Sequence, residues 1–143
     1  MRVAEIMQTE LVTCPPGVTV REAAATMRAR GVGACLVMDG PHLAGIITER
    51  DLLRLLAEGH DVRDWPVLDA ATREVVLAPP DAEVVWAADE MRRRSIRHLP
   101  VGEGDCVVGM VSLRDLFVVA GEVLRLDPNG MSTARDMLAA ARG

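Results

Sequence analysis

The chain contains itself twice. Residues 3–53, moved along by 64 positions, lie without a gap on residues 67–117, and seventeen of the 51 aligned pairs are identical. Pro15-Pro16 falls on Pro79-Pro80, and Val20, Ala23, Ala24 and Met27 fall on Val84, Ala87, Ala88 and Met91. Gly45-Ile46-Ile47-Thr48-Glu49-Arg50-Asp51-Leu52 falls on Gly109-Met110-Val111-Ser112-Leu113-Arg114-Asp115-Leu116. A fixed internal period is the signature of a duplicated supersecondary unit. A site in one half therefore has a counterpart in the other. A unit of about 55–60 residues alone buries only about 60% of its unfolded surface. The two units are expected to share a core, for which the 50% apolar content is sufficient.

Each repeat reads in the same order. Leu11-Val12-Thr13 and Val75-Val76-Leu77 are short strand-like runs halted by Pro-Pro. Thr19 and Glu22 form a capping-box pattern that opens a helix, and Asp81 is expected to cap the equivalent helix. Apolar residues then recur at helical spacing. Gly31 and Ser95 stand at the helix ends. Two strands joined by a turn follow: Ala34–Met38 and Ala44–Ile47, then Leu99–Val101 and Val107–Val111. A second helix begins near Thr48 and near Ser112. The unit is strand–helix–strand–strand–helix. The expected fold class is α+β, two such units packed around a pseudo-twofold axis. The expected boundaries are repeat 1 over 1–59, a linker over 60–66, repeat 2 over 67–121 and a tail over 122–143. The tail holds a turn at Asp127-Pro128-Asn129-Gly130 and a short helix capped by Ser132.

Composition narrows the function. Net charge is −5, and the aromatics are Trp65, Trp86 and Phe117. Such a chain lacks the basic face and stacking platforms of nucleic-acid binders. No apolar run approaches the roughly 20 residues of a membrane helix. The start, Met1-Arg2-Val3-Ala4-Glu5, has no signal-peptide apolar stretch, so a cytoplasmic protein is expected. Cys14, Cys35 and Cys106 are odd in number and have no Cys-x-x-Cys spacing, which argues against disulfides and structural zinc. Cys14 and Cys35 read as buried thiols, His42 and His60 as surface polarity, and Arg92-Arg93-Arg94 as a solvated helix end.

Chemistry concentrates at Thr48-x-x-Asp51 and Ser112-x-x-Asp115, where a strand enters a helix. The spacing supports two readings. One is a capping box, purely structural. In the other, the helix N-terminus is an anion site. The hydroxyl then meets a phosphate, the carboxylate accepts from a ribose diol, and the bare glycine upstream lets a flat group approach.

Two such repeats, each closing on Gly-apolar-apolar-[Thr/Ser]-x-x-Asp-Leu, resemble a pair of cystathionine-beta-synthase-type (CBS) domains, a Bateman module. Arg97-His98-Leu99-Pro100-Val101 and Thr72-Arg73-Glu74-Val75-Val76 agree with that resemblance. It covers about residues 3–121. It implies a regulatory sensor of AMP, ADP, ATP or a related adenosyl ligand, with two clefts between the repeats and no catalytic cofactor. Carried over by residue, Asp51 and Asp115 hold ribose, and Thr48 and Ser112 hold phosphate. Backbone at Thr13-Cys14 and Leu77-Ala78, with Ile47 and Val111, lines an adenine slot. Arg97 and His98 are basic phosphate ligands, and Arg50 and Arg114 are kept in both halves.

Repeat 1 has Gly33-Ala34 where repeat 2 has Arg97-His98. The cleft with repeat 2's motif is therefore expected to favour phosphorylated ligands, although a basic side chain can reach across the pseudo-twofold. No nucleophile–base pair, metal spacing or P-loop is present, so an enzyme is not expected. The alternative is a ligand-free structural or dimerisation module. The second helices carry wide apolar faces, Leu52, Leu53, Leu55 and Leu56 against Leu116, Phe117, Val119 and Ala120. A homodimer is expected from these faces, and an effector protein is the other partner through which such a module can act.

Overall fold

The computed structural model describes residues 1–126 and Ala139. The expected tail turn and, Ala139 aside, the expected last helix lie outside the described residues. Repeat 1 comprises β1 (Thr13–Cys14), α1 (Val20–Arg30), β2 (Ala34–Asp39), β3 (His42–Thr48) and α2 (Glu49–Ala57). A short α3 (Val67–Ala70) opens repeat 2, followed by α4 (Val84–Arg94), β4 (His98–Glu103), β5 (Cys106–Ser112) and α5 (Leu113–Leu126). A single 3-10 turn over Val3–Glu5 is the counterpart of α3.

Local signals act as the sequence predicts at most ends. Thr19 and Glu22 close a reciprocal capping box at α1. Gly31 and Ser95 end α1 and α4 in the left-handed region, at φ 65° and 54°. The α4 start differs. Its N-cap is Glu83, without a side-chain cap bond, and Asp81 does not cap it. The Glu83 carboxylate instead pairs with the Met1 amino group and Arg2.

The hairpins β2–β3 and β4–β5 share one register under the 64-residue shift, including a bulge at Val37/Met38 and at Val101/Gly102. β1 adds to β2 in parallel, making a three-stranded sheet. Its counterpart shrinks to a single bridge, Ala78 to Val101. The cause is one residue. The Leu36 amide donates to the Val12 carbonyl at 3.0 Å, whereas Pro100 stands at the equivalent place and has no N–H.

The repeats exchange their opening segments. Val67 N–H donates to Val18 O, while Val3 N–H donates to Ala82 O, each at 2.8 Å. Thr72 and Ile46 exchange backbone bonds at 2.9 Å, and Gln8 and Met110 do so at 2.8 and 2.9 Å. Val67 and Ala70 thus complete the core around Val20, Met27, Cys35 and Ile47. Val3 completes the core around Ala87, Met91, Leu99 and Val111. A third cluster lies between the repeats, joining Leu36 and Ile46 to Val107 and Met110.

This exchange explains the motif glycines. A Cβ on Gly45 would sit 2.9 Å from the Thr72 carbonyl oxygen, and one on Gly109 would overlap Met7. The bare backbone admits the other repeat's chain, not the flat ligand group expected from sequence.

Candidate functional site

Two clefts open where the repeats meet. The larger, about 890 Å³, is lined by Ser112, Arg114 and Asp115 of repeat 2 together with Gly31 to Ala34 of repeat 1. The smaller, about 430 Å³, is lined by Thr48, Arg50 and Asp51 of repeat 1 together with Ser95 to His98 of repeat 2. Residues 31–34 and 95–98 are equivalent under the repeat shift. Each cleft therefore combines one repeat's motif with the other repeat's helix-to-strand turn. Glu49, Arg97 and His98 line both.

The motifs sit at the N-termini of α2 and α5. Thr48 is the N-cap of α2. Its amide and hydroxyl donate to Asp51 Oδ2 at 2.8 and 3.0 Å. In repeat 2, the Ser112 amide and hydroxyl donate to Asp115 Oδ2 at 2.7 and 2.9 Å. The capping reading is thus realised in both halves. It does not exhaust the carboxylates, because an ionised carboxylate has about four acceptor sites. Asp115 Oδ1 accepts from Gln8 Nε2 at a long 3.3 Å. Asp51 Oδ1 has Arg54 at 3.9 Å.

Most of the residues expected around adenine turn their side chains into the cores. Cys14, Ile47, Ala78 and Val111 are buried in the cores of the individual repeats. Neither they nor Thr13 and Leu77 line a cleft. The walls are made by neighbours: Leu11, Val12 and Met110 in the larger cleft, Ile46, Val75 and Val76 in the smaller. The offset is the strand period of two. Alternate side chains face opposite sides, so Ile47 and Val111 fill their own repeat while Ile46 and Met110 face between repeats. Cys35 Sγ donates to the Leu36 carbonyl at 3.7 Å, and the neighbouring Cys35 thiol lowers the Cys14 thiol, while that neighbour and burial push the Cys35 thiol up.

Arg97 and His98 line both clefts, as side chains that reach across the pseudo-twofold do. His98 is half-buried, and burial lowers its imidazole below the ordinary 6.5, against the opposing pull of Glu49 and Asp115. Its ring lies over Gly33, where a Cβ would come within 3.1 Å of it and 2.8 Å of Glu49 Oε1. The glycine in repeat 1 is the space into which the histidine of repeat 2 fits. Glu49 and Gln8 are cleft residues that no sequence motif assigned a role, and Thr72 was legible only as part of the segment leading into repeat 2. For Gln8 the signal was present, since the repeat shift superposes it on Thr72.

The remaining singled-out residues make local contacts. His42 Nδ1 meets Asp105 Oδ2 at 2.9 Å, joining the two hairpin turns. His60 stacks edge-on against Trp65, ring centroids 4.3 Å apart. Arg92 pairs with Asp89, and Arg94 with Glu90, along α4.

The family model described as "CBS domain" matches residues 3–58 and 62–122. The chain belongs to the CBS domain family. CBS domain-containing protein YhcV of Bacillus subtilis is 36% identical over 117 residues, spanning 81% of this chain and 83% of that protein. A CBS domain protein of Pyrobaculum aerophilum, solved in complex with AMP, superposes with a TM-score of 0.75 at 30% identity. That match covers 81% of this chain and 90% of the other. The CBS domain pair of protein MJ0100, solved with 5'-methylthioadenosine and S-adenosyl-L-methionine, gives 0.78 at 26% identity and covers 85% and 97%. The α+β tandem architecture is that of CBS domain pairs. Among the described residues, no helix is long and apolar enough to cross a membrane.

Proposed function

We propose that this CBS pair is a cytoplasmic, non-catalytic regulatory module that binds AMP, ADP, ATP or a related adenosyl ligand. It acts through a partner protein or through its own dimer. The observation that carries this reading is the composite construction of each cleft. A hydroxyl and an aspartate at a helix N-terminus converge with apolar strand residues and a shared wall that carries Arg97. Helix N-termini favour anions, a carboxylate favours a diol, and Ile46, Val75 and Val76, or Leu11, Val12 and Met110, suit a base. In this reading Asp51 and Asp115 hold ribose. Thr48, Ser112, Arg50, Arg114, Arg97 and His98 face phosphate. Complexes of AMP and of adenosyl ligands in structurally similar pairs support the ligand class.

The capping bonds of Asp51 and Asp115 favour a second reading, a structural module that has kept the fold for dimerisation. Thermal unfolding separates them. At 100 times its dissociation constant a ligand adds about 2.7 kcal/mol, a rise of several degrees in Tm. The screen covers AMP, ADP, ATP, NAD, cyclic dinucleotides and S-adenosylmethionine at millimolar concentration. A midpoint unmoved by every one of them leaves the structural module as the function.

A further inference from the structure

The wall between the clefts contains Glu49, Arg97 and His98, and all three line both cavities. Their charges are unequal to two phosphates. His98 is held toward neutrality by burial, and Glu49 is an acid. Arg97 is the only cation of that wall.

The other arginines differ between the clefts. In the smaller cleft, Arg94 is paired with Glu90 at 2.7 Å, and Arg50 donates to the Ser95 carbonyl. That leaves Arg97 as its one arginine not engaged with a described residue. In the larger cleft, Arg30 is paired with Glu10 at 3.0 Å. Arg28 and Arg114 line it as well, and neither has an ion pair among the described residues.

We propose that Arg97 is a single guanidinium shared by the two clefts, so that phosphorylated adenosyl ligands bind this module with negative cooperativity. This rests on the nucleotide reading above and adds its regulation. An anion in the larger cleft draws Arg97 to one side, where Arg28 and Arg114 assist. The smaller cleft is then left with Glu49 facing the incoming phosphate. Charge-assisted bonds are roughly twice as strong as neutral ones, so loss of the shared cation weakens the second event. A ligand without phosphate makes no demand on Arg97, and its two events are independent. Coupling is reciprocal: whichever cleft fills first penalises the other.

The test is calorimetric titration of the full chain with AMP and, separately, with adenosine. Asp115→Ala disables the larger cleft, and Asp115→Asn serves if the alanine variant does not fold. The AMP affinity of the smaller cleft is then compared with the larger cleft disabled and with it saturated in the unaltered chain. The expected result is an affinity at least about fivefold tighter when the larger cleft is disabled, at the low end of usual coupling. Adenosine is expected to give no difference. Arg97→Ala should erase the AMP difference and remove most AMP binding from the smaller cleft, leaving adenosine binding in place. Equal AMP affinities in the two states overturn the sharing while the nucleotide reading stands. An equal difference with adenosine also overturns it, since the coupling is then not one of phosphate charge. Absence of heat from both ligands overturns both readings together.

Discussion

His98 stands where the duplication diverges with a consequence for both halves. Repeat 1 has Ala34 at the equivalent position, and Gly33 beside it leaves the room the imidazole occupies. Burial lowers its proton affinity; Glu49 and Asp115 oppose this, and Arg97 reinforces it. The folded protein therefore holds this proton less well than the unfolded chain, whose imidazole titrates at the ordinary 6.5. The unfolded state binds more protons below that value, so stability rises with pH through this window. Stability associated with neutral His98 is fully present above about pH 6.5 and falls as the solution is acidified. Denaturant unfolding between pH 5.5 and 7.5 is expected to show this decline. His98→Gln should flatten it over that window. An unaltered slope in the variant would place the effect on another group.

At the scale of elements, the two repeats form a natural comparison. α1 and α4 are each eleven residues long and end in the same left-handed conformation. Gly31 meets that requirement freely, and Ser95 meets it against the steric cost of a Cβ, about 1–2 kcal/mol. Ser95→Gly is expected to stabilise the protein by about 1 kcal/mol, or about 3 °C in Tm. Gly31→Ser should cost about the same, because no heavy atom lies within 4 Å of the added Cβ and only the backbone is strained. Paired thermal melts check both signs. A drop for Ser95→Gly would mean that the serine side chain contributes more than its backbone conformation costs. Pro100 is the other divergence at this scale. It removes one amide, and the strand opposite it contracts to a bridge.

At the scale of the molecule, the repeats are bound to each other by their exchanged opening segments and by the cluster of Leu36, Ile46, Val107 and Met110. Not all apolar surface is covered. Leu55 and Leu116 are buried, but Leu53, Leu56, Phe117, Val118 and Val123 are all more than half exposed. Leu53 and Phe117 are repeat equivalents, so both second helices present the same kind of face. Exposed apolar faces of this kind mark interaction surfaces, and twofold closure is the commonest way to cover one. Light scattering at micromolar concentration is expected to give twice the 15.4 kDa chain mass. Leu53→Glu with Phe117→Glu should shift the protein to monomer. A monomer before substitution would assign these faces to a different partner.

The sequence by itself determined the duplication, the order of elements, the α1 capping box, the left-handed helix ends and the hairpins. These depend on short-range interactions, and their signals lie within a few residues. The placement of Thr48, Asp51, Ser112 and Asp115 at helix starts was legible for the same reason. Tertiary structure alone decided three matters. The opening segments cross between repeats, so Gly45 and Gly109 accommodate backbone from the other half. Ile46 and Met110, with Val12 and Val76, line the clefts in place of their strand neighbours, because the side chosen by a period-two pattern depends on which face the partner repeat covers. Arg97 and His98 reach both clefts, although a linear repeat assigns them to one. In each case the deciding contact joins residues far apart in the chain, 27 positions for Gly45 and Thr72 and 65 for Gly33 and His98. A local pattern does not encode such a contact; packing two copies around one axis creates it.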